Sequence, residues 1–202
     1  MVFFSTKGRS RNYFDVERKV SVIIEITPVT PEKIPEIVAL DRVCLGGLWT
    51  TSAYQREIES SRSTLLALYL KSSQEEPVKA IGIACLWAIV DEAHITLLAI
   101  APNHRRQGLG RLLLLTLLKD AIARKLEWAT LEVNVKNTKA IDLYQKIGFQ
   151  VVGTRKGYYQ PAGDDAAVLW LKDIQQREFN SKLARWKQTI NLRLRQNQYY
   201  LS

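Results

Sequence analysis

The stretch RRQGLGRLLLL, residues 105–115, constrains the fold of this 202-residue chain more tightly than any other. Two glycines in three positions loosen the backbone, and four leucines follow with almost no spacer. Beyond residue 110, Leu114, Leu117, Leu118, Ala121 and Ile122 recur at i, i+3, i+4, i+7 and i+8, which predicts one apolar face of a helix. The preceding AHITLLAI (93–100) has the β-branched, alternating character of a strand. The glycines therefore stand where a strand hands over to a helix. The first turn of a helix carries N–H groups without acceptors and about half a positive charge, which suits an anion. Gly108 and Gly110 let the backbone wrap closely around a bulky phosphate, while Arg105, Arg106 and Arg111 add positive charge. Taken alone, the Gly-x-Gly spacing fits a plain tight turn equally well.

Several function classes are disfavoured. No Gly-Lys-Ser/Thr follows the loop, and the third glycine of a dinucleotide fingerprint would fall on Leu113, so neither a Walker-type nucleotide hydrolase nor an NAD enzyme is expected. No apolar run reaches the roughly 18 residues of a membrane-spanning helix. Cys44 and Cys85 lie among apolar residues and are expected to be reduced, buried thiols of a cytoplasmic protein. Neither has a histidine–carboxylate setting that would support a covalent cysteine mechanism. His94 and His104 have no companions at metal-ligand spacing, so no metal is expected, and ordinary strand and loop positions suit them. The N-terminal MVFFSTKGRSRNYFDVERK has arginines and serines but no apolar segment or small-residue cleavage site, which gives a transit peptide little support.

The rest of the chain predicts one α/β domain with a mixed, mostly antiparallel central sheet and flanking helices. VSVIIEI (20–26) reads as a strand, and Thr30-Pro31 opens a helix that LGGLW (45–49) breaks. Ser52 and Gln55 resemble a capping box for a short second helix. TLLALYL (64–70), VKAIGIACLWAIV (78–90) and AHITLLAI are joined too tightly for crossovers, so an antiparallel meander is expected. WATLEVNV (128–135), a helix from about Thr138 to Lys146 stopped by Gly148, and the strands FQVVGTR and AAVLWL complete the pattern.

The net charge of +9 is concentrated at the ends. Residues 1–19 carry five basic against two acidic side chains, and residues 172–202 carry seven against two. The expected organisation is a basic N-terminal extension (1–19), the α/β domain (20–171) and a basic amphipathic C-terminal helix (172–202). Phe179, Leu183, Trp186, Ile190 and Leu194 form the apolar stripe of that helix. The stripe can dock on this domain, on a partner such as the ribosome, or on an anionic membrane surface. The basic ends suit contact with RNA or simple solvation.

The loop residues Arg106-Gln107-Gly108-Leu109-Gly110 resemble the pyrophosphate loop of the GNAT acetyltransferase superfamily. DEAHITLLAIAPNHRRQGLGR, LEVNVKNTKAIDLYQKIGF and RKGYY together resemble the bacterial ribosomal-protein-alanine N-acetyltransferase family. The resemblance covers roughly residues 22–171, is strongest over 91–159, and leaves out both basic ends. It implies a GNAT fold and acetyl-CoA as co-substrate. It also implies that backbone groups of Leu98, Ala99 and Ile100 meet the pantetheine arm and that Asn137 and Tyr144 touch the cofactor. The acceptor is implied to be a protein N-terminus, as on a ribosomal protein, and a monomer or weak dimer is expected.

Alternation in LEVNV puts Leu131, Val133 and Val135 on one face and Thr130, Glu132 and Asn134 on the other. An inner strand is usually covered on both faces, where a bare carboxylate is costly, so Glu132 needs a wet cleft or a partner. Tyr144 belongs to the inward set 140, 143, 144, 147 of the following helix, and a core tyrosine is the plain alternative. Acetyl transfer employs both, because the attacking amine must lose a proton and the departing thiolate benefits from gaining one. An α-amine of pKa about 7.7 to 8.0 is roughly a tenth neutral at pH 7, whereas lysine near 10.4 is almost wholly charged. The resemblance assigns Glu132 as base and Tyr144 as acid. It also implies that Leu48 and Trp49, and Tyr158 and Tyr159, flank the acceptor, although ordinary loop packing accounts for the tyrosines too. Gly46-Gly47 before Trp49 departs from the bulkier or proline-bearing stretch common in the family, which leaves acceptor preference open. The competing expectations are a lysine or small-molecule amine acetyltransferase, and an acetyl-CoA-binding module tethered to RNA.

Overall fold

Two long apolar segments and the strand before them pair edge to edge because tight turns connect them. The computed structural model describes residues 22–72 and 79–201. The expected N-terminal extension, residues 20–21 and most of the KSSQEEP turn lie outside them. β2 (Ser63–Ser72), β3 (Lys79–Ile89) and β4 (Glu92–Ile100) pair antiparallel in succession, as the meander predicts, and β1 (Val22–Pro28) pairs antiparallel with β2. Between β1 and β2 lie α1 (Ile34–Leu45), entered through a 3₁₀ turn at Pro31–Lys33, and α2 (Thr51–Glu59). Thr50, not Ser52, caps α2, its Oγ1 accepting from the Ala53 N–H at 3.2 Å. The capping box was displaced by two residues because Thr50 and Ser52 are both competent caps and only the backbone selects one.

α3 (Leu109–Ala123) then leads to β5 (Trp128–Asn134), which is parallel to β4. α4 (Thr138–Gln145), β6 (Gln150–Tyr159) and β7 (Asp164–Leu171) follow, with β7 inserted between β5 and β6. The sheet order is β6-β7-β5-β4-β3-β2-β1-β8, mixed and mostly antiparallel. β8 (Tyr199–Leu201) pairs parallel with Val22–Ile24 and covers part of the β1 edge. The pattern of side chains did not predict it.

Each face of the sheet is covered by helices. Ile34, Ile37 and Leu40 of α1 and Tyr54 of α2 bury Leu65, Ala67, Ile83, Cys85 and Leu97 on one face. On the other face the leucines of α3 share a core with Leu66, Leu68, Leu86 and Ile95, which extends to Leu131, Leu169, Tyr144 and Phe149. Leu113, Leu114, Leu117 and Leu118 are all fully enclosed, so the greasy run is held on more than one side. α5 (Arg177–Gln196) adds Phe179, Ile190 and Leu194 to this same core. Of the three docking places for the C-terminal stripe, the helix occupies the first, its own domain. Among the described residues no helix is long and apolar enough to cross a membrane.

Candidate active site

The loop between β4 and α3 is built as an open set of donors. Gly108 sits at φ 96°, a left-handed conformation that a side chain would strain, and Arg106 adopts φ 67°. Among the described residues, none of the N–H groups of residues 106–111 finds a backbone or side-chain acceptor. Leu109 is 1% exposed and anchors the loop in the core.

The arginines are used differently from one another. Arg105 turns away: its Nε donates to the Ile100 carbonyl at 2.8 Å, and its charge opposes the upward push that burial gives the Cys44 thiol. It fastens the end of β4 rather than lining the seat, because the extended backbone at residue 105 directs it toward α1. The Ile100 carbonyl is correspondingly engaged. Arg111 lies over the ring of Trp186 on α5, 5.9 Å from its centroid. The Gln107 Nε2 reaches the Asn103 carbonyl at 3.4 Å, while its Oε1 is buried without a partner.

Behind the loop the sheet opens. β4 and β5 pair only from Glu92–Trp128 to Ile95–Leu131. Thr96, the next residue of β4, has no register partner on β3, because Ile95 pairs with Leu86 and Leu97 with Cys85. Such a bulge bends a strand and shifts its alternation. Ala93 and Ile95 accordingly join the α3 face, whereas Leu97 and Ala99 join the α1 face. Leu98 and Ile100 pack toward α3. The parted strands leave a slot whose β4 side is residues 98–100 and whose β5 side begins at Glu132.

Glu132 stands at the apex of that slot with its side chain 7% exposed. Its Oε2 lies 3.3 Å from His94 Nε2, and its Oε1 lies 3.1 Å from Arg155 Nη2. These partners offset the cost of holding a carboxylate out of water. His94 Nδ1 lies 2.8 Å from Thr130 Oγ1 and 3.3 Å from Glu92 Oε1, and the Thr130 hydroxyl donates to that same Glu92 oxygen. A chain of polar groups thus runs from Glu132 to the half-buried Glu92. Sequence reasoning found Glu132 and its need of a partner but missed His94 and Arg155. Parallel pairing of β4 with β5, which aligns His94 with Thr130, was the signal for His94.

Tyr144 lies on the opposite face, 7% exposed, with its ring edge-on to Phe149 at 5.8 Å. Burial, aided by Tyr159, pushes its phenol well above the ordinary tyrosine value, so the group holds its proton. Asn137 caps α4, its Oδ1 accepting from the Ala140 N–H at 3.2 Å. On the α1 face, the fully buried Asp41 accepts from the amides of Leu48 and Trp49 at 3.1 and 2.8 Å, and Gly46 and Gly47 take the left-handed turns this requires. Trp49 stacks on Trp87 at 6.4 Å, and Trp87 in turn meets His94 at 6.3 Å. Tyr158 and Tyr159 belong to the end of β6 rather than to a loop, since the strand runs on past a glycine and a lysine that carry no strand signal. Tyr159 donates to the Glu132 carbonyl at 3.4 Å, and Tyr158 stays 45% exposed under Arg155. A run of contacts thus links Trp49 through Trp87 and His94 to Glu132 and on to Tyr159, while Leu48 is exposed.

This arrangement has relatives. A Bacillus subtilis (strain 168) protein provisionally designated a [ribosomal protein bS18]-alanine N-acetyltransferase is 33% identical over 144 residues, 69% of this chain and 89% of that protein. The Escherichia coli (strain K12) [ribosomal protein bS18]-alanine N-acetyltransferase is 33% identical over 105 residues, 51% of this chain and 71% of its own. The crystal structure of the E. coli ribosomal-protein-S18-alanine N-acetyltransferase superposes with a TM-score of 0.64 and 26% identity, covering 74% of this chain and 94% of that one. The acetyltransferase (GNAT) family profile matches residues 34–149, a span that takes in both the amide-lined loop and the parted strands. A match over more than half the chain makes the protein a member of the GNAT family, an acetyl-CoA-dependent acyltransferase.

Proposed function

We propose that this enzyme acetylates the α-amine of a protein N-terminus, with a ribosomal-protein alanine of the bS18 type as the first acceptor to test. The observation that carries the proposal is the carboxylate of Glu132 where β4 and β5 part, held by His94 and Arg155, with the Tyr159 hydroxyl on its backbone carbonyl. The names of the relatives, including one covered over 89% of its length, point to the same acceptor. A cytoplasmic location follows from such a substrate.

Bound acetyl-CoA supplies the acetyl group and leaves as a thiol. The free amides of residues 106–111 would hold its phosphates, residues 98–100 would face its arm, and Asn137 has a side-chain amide at the mouth of α4. Glu132 accepts the proton of the attacking amine, directly or through one water. His94 and Arg155 keep that carboxylate oriented. Tyr144, kept protonated by burial, donates from its hydroxyl to the departing sulfur, near pKa 8.5 for a simple thiol. The basic outer face of α5, with Lys187 and Arg185, is open to an anionic partner such as ribosomal RNA.

The test is acetyl transfer to short peptides beginning with Ala, Ser, Met or Gly, beside an N-blocked peptide with an internal lysine. Turnover on free N-termini that disappears on blocking is the expected result. Turnover on the blocked peptide alone would make the enzyme a lysine acetyltransferase.

A further inference from the structure

Helix α5 lies outside the span shared with the family, yet its inner face reaches the phosphate loop at several points. The Nη2 of Arg193 donates to the Arg106 carbonyl at 2.6 Å. A Cβ built on Gly108 would lie 3.6 Å from Arg193 Cδ and 4.0 Å from Ile190 Cγ2. Arg111 meets Trp186, and His104 lies 3.4 Å from the Tyr199 hydroxyl of β8. The C-terminal segment is thus laid against the loop along its length.

The charge at this contact is unbalanced. Among the described residues, Arg106, Arg111 and Arg193 have no carboxylate within ion-pair distance. Burial and the charge of Arg193 both push Arg111 below its ordinary pKa, and the Arg111 Nε is buried without a partner. Like charges crowded beside six free amides are costly unless an anion joins them. Arg193 is well suited to supply that anion's counter-charge. Its stem is packed on Gly108 and one nitrogen is fixed on the loop, so the remaining guanidinium donors are held rather than swinging freely.

We infer that Arg193 is a phosphate-binding residue of the cofactor site, so that α5 completes the anion seat formed by the loop. The inference rests on acetyl-CoA as co-substrate. It concerns a phosphate of the cofactor, either in the pyrophosphate or on the ribose.

Calorimetric titration of the full-length chain with CoA and with 3′-dephospho-CoA tests it. A hydrogen bond to a charged group is worth about 1.5–3 kcal/mol, so Arg193→Gln should weaken CoA binding roughly 10- to 100-fold. Arg193→Lys should recover part of the loss. Arg195→Gln removes the same charge from the same helix and should change Kd less than about two-fold if the effect is local. A defect that vanishes with 3′-dephospho-CoA assigns Arg193 to the ribose phosphate, and one that persists assigns it to the pyrophosphate. Melting curves of the free variants should match the wild type, which separates lost binding from lost folding. Unchanged affinity in Arg193→Gln, or an equal loss in Arg195→Gln, would overturn the inference. Tighter binding would also overturn it, making α5 a cover over the seat. Failure of the wild type to bind CoA would instead defeat the cofactor reading.

Discussion

Replacing Ile190 by alanine should show how firmly α5 is attached. The side chain is 2% exposed and sits between its helix and Gly108, a residue with no side chain to move into the space left behind. A buried Ile→Ala change costs about 2–5 kcal/mol, more where the surroundings cannot collapse, so a loss of about 3 kcal/mol is expected. Against a typical total of about 5–15 kcal/mol this is a large fraction. At about 2–4 °C per kcal/mol for a chain of this size, the melting temperature should fall by roughly 6–12 °C. Urea unfolding followed by tryptophan fluorescence is the assay, since Trp186 lies one turn away on the same helix. Leu192→Ala is the control: that residue is 60% exposed, and its loss should stay within about 0.5 kcal/mol. If Ile190→Ala cost no more than Leu192→Ala, the helix would not be docked in solution, and Arg193 would not be held at the loop.

Glu132→Gln should lower kcat by about 10²- to 10⁴-fold, the usual range for a lost general base, with CoA affinity measured by calorimetry unchanged. Tyr144 holds its proton above the ordinary value near 10, so ionisation of this acid should not reduce the rate below about pH 10. A descending limb centred below about pH 9 that disappears in Tyr144→Phe would contradict that role. Tyr158→Ala, at an exposed position beside Arg155, should raise the KM for peptide more than that for acetyl-CoA in initial-rate measurements. Gly82→Ala would put a Cβ 2.7 Å from Ile100 Cδ1, 3.0 Å from Leu113 Cδ1 and 3.3 Å from Leu68 Cβ. Overpacking there should cost about 1–3 kcal/mol in denaturant unfolding.

Local pattern made the meander, the leucine helix and the C-terminal stripe legible, because each depends on periodicity within a few turns. The amide-lined loop was legible for the same reason, as glycines sit between a strand and a helix. The bulge at Thr96 was not, since an unpaired residue exists only relative to a partner strand. His94 and Arg155 escaped notice because their link to Glu132 depends on which strands lie side by side, not on neighbours in the chain. Asp41 was visible only as one more position on a helix, while its work is done on the amides of Leu48 and Trp49. β8 has three residues, too short for alternation to register, and its register is set by α5 delivering it to β1.

The parting of β4 and β5 also has a mechanical side. Pairing confined to Glu92–Ile95 against Trp128–Leu131 makes the sheet two stiff plates, five strands and three, riveted along a short seam. The α3 helix lies over β2, β3 and β4, all in the five-strand plate, so bending concentrates in the open half of the seam. A long molecule lying in that gap acts as a strut: it resists closure with its bulk and opening with its hydrogen bonds. Compliance of the sheet, and not only its chemistry, then depends on whether the gap is filled.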